Sequence, residues 1–249
     1  MALFKFGRKE SGAPVIGSET LVPFLNGFSI EVMPRTAEKV DDFTALLPAG
    51  TRVYIAHIDG TPIDEMVATA ARLRREGFEP MPHFPARIIK DKATLTEWVT
   101  RYKAEADVKQ GLLLAGGVDK PQGDYHSSMQ LLESGAFDGF ERLHVAGHPE
   151  GNKDIDPDGS DKLVMDALRW KQAFSARTDA KMALATQFCF EAGPVIDWVN
   201  RLNAEGIDLP DGRRIGFRTK GRAPGRPPSV FTKDSVRELL QHEVYSGVV

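Results

Sequence analysis

Phe28-Ser29-Ile30-Glu31-Val32-Met33-Pro34-Arg35 is the stretch on which the fold turns. Phe28, Ile30 and Val32 alternate with polar or charged neighbours, the period-2 pattern of a strand, and Pro34 ends that strand. Glu31 falls just before the stop. Carboxylates are rarely buried without a partner, so two readings stand side by side. Glu31 is either a solvated residue paired with Arg35, or a general acid at the C-terminal mouth of a barrel strand, where such folds place their chemistry.

Outward from this strand the chain repeats one theme. Thr36 is expected to cap a helix carrying Val40, Phe43, Leu46 and Leu47, and Arg52–Ile58 reads as a second strand. Thr61-Pro62 is an N-cap followed by proline at the first helical position, ahead of the apolar stripe Ile63, Met66, Val67, Ala70 and Leu73, with Gly77 as the stop. A third strand is expected to end near Met81-Pro82-His83. Thr94 and Glu97 form a capping-box pattern before Leu95, Trp98, Val99 and Tyr102.

Gly111–Ala115 is an unbroken apolar run, as in a strand buried on both faces. A helix is expected near Ser128–Ser134, a fifth strand over Arg142–Gly147, and a helix with Leu163, Val164, Ala167, Leu168 and Phe174. Met182–Phe188 is the sixth strand and Pro194–Glu205 its helix, stopped by Gly206. Six strand–helix units, with no GxGxxG after the first strand, predict an α/β fold of the (β/α)₈ TIM-barrel type rather than an open dinucleotide-binding sheet. Only a weak seventh strand follows, so the barrel is expected to be incomplete or altered after its sixth unit. An open barrel exposes unpaired strand edges, which invites a homo-oligomer.

Charge marks the boundary. Residues 210–233 hold seven basic side chains (Arg213, Arg214, Arg218, Lys220, Arg222, Arg226, Lys233) against Asp211, a local net of +6 in a chain of net charge −3. Four prolines and four glycines lie in the same window. The expected organisation is an N-terminal extension over 1–24, a barrel over 25–209, and a basic linker with a C-terminal helix over 210–249. The single Cys189 excludes an intramolecular disulfide framework and suits a reducing, cytoplasmic compartment. No run approaches the length of a membrane span.

Polar residues gather at the expected C-terminal strand ends: Glu31, His57 and Asp59, His83, Gly116 with Gly117 and Asp119, His148 with Glu150, and Gln187. Polar groups at one rim of an apolar barrel are what a site requires. His83, His148 and Glu150 lack the spacing of HxH or HExxH metal motifs. The Gly116-Gly117 pair suits close approach of a phosphate or a flat ring.

In order and spacing, Phe28–Arg35, Pro82-His83, Leu114–Asp119, Gly147-His148-Pro149-Glu150 and Thr186-Gln187-Phe188-Cys189-Phe190 resemble the methylenetetrahydrofolate reductase family over roughly residues 25–208. The resemblance implies a (β/α)₈ barrel with FAD at its C-terminal mouth, passing a hydride from NAD(P)H through the flavin to 5,10-methylenetetrahydrofolate in one-carbon metabolism and methionine biosynthesis. It implies Glu31 as the acid that protonates the folate's bridging nitrogen, kept protonated by flanks such as Ile30 and Val32. It implies Gln187 as a folate contact, with Phe190 nearby. His83, Gly116, Gly117, Asp119, Tyr125, Ser127, His148, Glu150 and Lys171 fall at or near flavin-contacting positions. The family's Arg-Gly-Asp after strand four is here Ala115-Gly116-Gly117-Val118-Asp119, and Asn152 stands where a histidine is expected.

Residues 212–249, with Gly-Arg-Pro-Pro at 225–228 and Phe-Thr-Lys-Asp-Ser-Val-Arg-Glu-Leu-Leu at 231–240, resemble instead the DNA-contacting recombinase segment of large serine recombinases. That implies a second, non-enzymatic possibility: a fusion in which the basic segment binds nucleic acid.

Overall fold

A computed structural model describes residues 27–187 and 192–207. Residues 1–26, most of the sixth-strand motif beyond Gln187 (Phe188, Cys189 and Phe190), and the basic tail lie outside the described residues.

Six parallel strands form one sheet in chain order: β1 Ser29–Val32, β2 Arg52–Ile55, β3 Glu79–Pro85, β4 Gln110–Leu114, β5 Arg142–Gly147 and β6 Lys181–Thr186. Helices alternate with them: α1 Pro34–Ala37, α2 Ile63–Arg75, α3 Lys92–Ala106, α4 Ser128–Glu133, α5 Lys162–Ser175 and α6 Ala192–Ala204. The α/β alternation expected from the sequence is present, as a curled half-barrel compatible with an incomplete TIM-like barrel.

Curling is visible in one bond. Tyr54 Oη on β2 and His144 Nδ1 on β5 are hydrogen-bonded at 2.6 Å. Two strands lie between them, and in a flat sheet a separation of three strand spacings of about 4.8 Å would keep such side chains apart. The register sets the faces. Glu31 pairs with Tyr54, Tyr54 with Met81, His83 with Leu112, and Leu112 with His144, so these side chains share the concave face. Their neighbours Val53, Ile55, Phe84, Leu113 and Val145 are fully buried on the convex face, in one core with Met66, Ala70 and Leu73 of α2 and Leu95, Val99 and Tyr102 of α3. A smaller cluster joins Val164, Met165 and Leu168 of α5 to Leu202 and Ile207, with Trp198 against it.

Several local expectations need correction. The helix expected from Thr36 through Leu47 is two short pieces, α1 and a 3₁₀ turn over Phe43–Ala45 whose N-cap Asp42 accepts from the Thr44 amide. Arg72 explains the break, because its guanidinium donates to the carbonyls of Ala37, Val40 and Asp41 and so holds the chain non-helical there. Pro62, not Thr61, is the N-cap of α2. Asp91, not Thr94, caps α3, accepting from the Thr94 amide at 2.8 Å. Strand β3 continues past His83 to Pro85 because it changes partner midway: Glu79–Pro82 pair with β2 and His83–Pro85 with β4. His83 is therefore inside a strand rather than at its end. Gly77 does end its helix as expected, at φ +89°, a conformation open to glycine.

Candidate functional site

Glu31 is the penultimate residue of β1. Its Oε2 lies 3.2 Å from His83 Nε2, which reaches over from β3 on the same concave face. The two groups are within ion-pair distance, and the interaction with His83 is the largest influence on the Glu31 carboxyl. The two ends differ in exposure: the His83 side chain is 11% exposed and that of Glu31 58%. His83 holds the Glu31 carboxyl below its ordinary range, against a smaller opposing effect of burial. This corrects the expectation that Ile30 and Val32 keep Glu31 protonated. Glu31 is exposed on its face of β1, and its apolar neighbours Ile30 and Val32 point to the other side of the strand.

Behind this pair stands a second one that the sequence reading missed. The Tyr54 ring meets His83 edge-on, with centroids 6.1 Å apart, and its hydroxyl is fixed by His144. Burial, then the charges of Arg52 and Arg142, push the His144 imidazole down to about 3. The available signal was the alternation itself: a tyrosine between Val53 and Ile55, and a histidine between Leu143 and Val145, mark a polar inner row in otherwise apolar strands.

The remaining rim residues divide. His148, half-buried at the end of β5, lies 3.5 Å from Asn152 Nδ2 through Nδ1, and burial and then Lys171 lower its pKa. Lys171 on α5 is 6% exposed, and burial lowers its ammonium pKa to about 8. No carboxylate among the described residues lies within ion-pair distance of it. Gly116 takes φ +97°, and a β-carbon there would stand 3.0 Å from Pro85 Cβ, so glycine is required. At Gly117 the same position is open space. Arg87 donates to the Val118 carbonyl at 3.0 Å and so brings a guanidinium to this loop.

Tyr125 is buried, and Ser127 opens α4 with its amide on Gln130 Oε1 at 3.2 Å. Asp119 and Glu150 are exposed, and no contact among the described residues joins them to either pair. Gln187 follows β6, exposed but engaged in a contact. Phe190 lies outside the described residues. His57 is packed rather than poised: its ring lies 4.7 Å from Trp98 and its Nε2 bonds the Thr61 carbonyl at 3.1 Å. Asp59 accepts from Gln122 at 2.8 Å. Thus the fold brings together Glu31 with His83, and His148 with Lys171, and leaves Asp119 and Glu150 apart.

No protein-family model matches the chain. No helix among the described residues is long and apolar enough to cross a membrane. No group of three or more His, Cys, Asp or Glu among them could hold a metal ion.

The buried imidazoles set an expected pH response. Between its folded value of about 3 and an ordinary value of 6.5, folded His144 binds fewer protons than the unfolded chain. Stability is therefore complete above pH 6.5 and is lost as pH falls, by about 2 kcal/mol at pH 5 from this group alone. His57 and His148, also lowered, act in the same direction. Urea midpoints at pH 7 and pH 5 should differ accordingly, and His144→Gln should shrink the difference. An unchanged difference would show that His144 is not its source.

Proposed function

We propose that this chain is a methylenetetrahydrofolate reductase-like flavoenzyme, on a (β/α)₈-type scaffold altered after its sixth unit. The observation that carries the reading is the Glu31–His83 pair, a carboxylate and an imidazole 3.2 Å apart on the concave face. Such a pair holds and moves a proton at the place where barrels work. Glu31 must carry a proton when it meets the folate's bridging nitrogen, although contact with His83 favours the ionised form in the free protein. A pterin ring over the mouth would exclude water from the half-exposed carboxylate. Burial already opposes the effect of His83 at Glu31, and deeper burial raises a carboxyl further. Substrate binding thus loads the acid.

The residues present suit FAD. Among the described residues Lys171 is a buried cation without a carboxylate partner, as an anionic pyrophosphate needs, and Arg87 Nε is buried without a hydrogen-bond partner. The open space at Gly117 lets a ligand approach the backbone. When bound, FAD supplies the hydride carrier between NAD(P)H and the folate. The chain's part is to hold the cofactor's anionic groups with Lys171, keep His148 neutral beside them, and present Glu31 to the substrate.

The test is a visible spectrum of the purified chain during FAD titration, followed by anaerobic NADPH reduction and addition of 5,10-methylenetetrahydrofolate. Retained, perturbed flavin bands that bleach with NADPH and return with the folate are expected. Flavin that passes straight through gel filtration would end the proposal. The +6 segment at 210–233 supports a second reading, nucleic-acid binding, for which salt-sensitive retention on DNA is the readout.

A further inference from the structure

Tyr54 and His144 have no part in the proposed proton chemistry, yet they share the concave face with the pair that does. The register places Tyr54 directly beside Glu31, and His83 across Leu112 from His144. Strands β3 and β4 lie between β2 and β5. To meet His144 Nδ1 at 2.6 Å, the Tyr54 side chain therefore spans the concave side of the sheet. His83 projects from β3 onto that side, and the Tyr54 ring meets it edge-on, at an interplanar angle of 71° with centroids 6.1 Å apart.

A tyrosine held at both ends acts as a strut. Its backbone is paired to β1 through Glu31 and to β3 through Met81, and its hydroxyl is held on β5. Only two side-chain torsions lie between these fixed points. Both partners are neutral near neutral pH. Burial raises the phenol's pKa against the charges of Arg52 and Arg142, and burial with those same charges takes the imidazole down to about 3. The hydroxyl is committed to His144, with Ser29 also acting on it, so Tyr54 shapes its neighbours rather than exchanging a proton with a ligand.

The strut bears on His83. The Glu31 side chain is exposed and free to swing, whereas the imidazole is largely enclosed, so the imidazole decides where the two meet. The edge of the Tyr54 ring flanks that imidazole. Among the described residues, the other titratable and charged groups around this row are Arg52 and Arg142, which act on the phenol, and His57, on which His83 acts.

We infer that Tyr54, locked by His144, is a positioning residue for the Glu31–His83 pair, its ring holding the imidazole turned toward the carboxylate. The inference rests on that pair being the working site, but not on flavin or folate. Without the strut the imidazole is free to turn away, and the carboxyl loses the contact that favours its ionised form.

The experiment is a carboxyl ¹³C NMR titration of Glu31 in the full chain from pH 8 to pH 4, without cofactor or substrate. Glu31→Gln identifies the resonance, and the amide spectrum reports the fold at each pH. His83→Gln removes the partner and sets the full upward shift of the Glu31 titration. Tyr54→Phe keeps the ring but loses its anchor, and should give at least half of that shift. In the His83→Gln background Tyr54→Phe should add nothing, because its effect runs through the imidazole. His144→Leu should reproduce Tyr54→Phe, and His144→Asn, whose amide stands where Nδ1 does, should restore the wild-type curve. An unmoved Glu31 titration in Tyr54→Phe and His144→Leu, or an equal shift with and without His83, would overturn the inference. No cofactor enters the measurement, so failure of the flavoenzyme reading leaves its outcome unchanged.

Discussion

Replacing Glu31 with glutamine is expected to abolish reduction of 5,10-methylenetetrahydrofolate while NADPH-dependent reduction of a quinone through the flavin continues. The amide keeps the shape of the side chain but removes the proton donor. It also removes the charge that His83 Nε2 meets at 3.2 Å. A general acid contributes about 10²–10⁴-fold, so the loss in folate turnover should fall in that range. The side chain is 58% exposed, so the melting temperature should move little. Steady-state assays of the two half-reactions decide the matter. A parallel fall in both would make Glu31 a structural residue, and an unchanged folate rate would assign the proton to another group.

Truncating the next residue along from His83 should do the opposite. Phe84 is fully buried on the convex face and sits at the centre of a ring cluster, 5.4 Å from Tyr102, 4.9 Å from Phe137 and 6.4 Å from Phe140. Gly111 on β4 is small because a β-carbon there would stand 3.0 Å from the Phe84 ring. Phe84→Ala leaves a cavity that these rigid neighbours cannot close, at a cost of about 3–5 kcal/mol. Against a total stability of roughly 5–15 kcal/mol, that is a large share. The melting temperature should fall by roughly 6–20 °C for a domain of this size. Thermal denaturation followed by circular dichroism provides the check. A shift of only a degree or two would mean that the ring cluster relaxes freely.

These two expectations show which parts of the molecule were legible in its sequence. Strand–helix alternation was readable because the convex face is apolar throughout, and Arg142–Gly147 appears over the residues predicted. The 36–47 segment was misread because its apolar spacing is helical, whereas Arg72, far along the chain, takes the carbonyls that a helix would have used. The pairing of Glu31 with His83 depends on register across β1, β2 and β3, which no local pattern encodes. The protonation of Glu31 was misjudged for a related reason: its sequence neighbours are apolar, but in a strand they face away. Tyr54 and His144 were not legible as a pair because both lie mid-strand, and only the curl of the sheet brings such residues together.

The strand order has a consequence for how the chain assembles. Among the described residues, each strand's earlier neighbour in the sheet is the one just completed, from β1 to β6. A chain emerging N-terminus first can therefore add one strand–helix unit at a time, and no strand has to wait for a distant partner to be synthesised. Loop-closure costs stay small at every step, because each pairing spans one short crossover segment. The growing edge is the vulnerable point, since it presents an open ladder until the following unit docks. Pausing synthesis between units should lengthen that exposure, and stalled chains ending after β3 or β4 should recruit holdase chaperones more strongly than the complete chain.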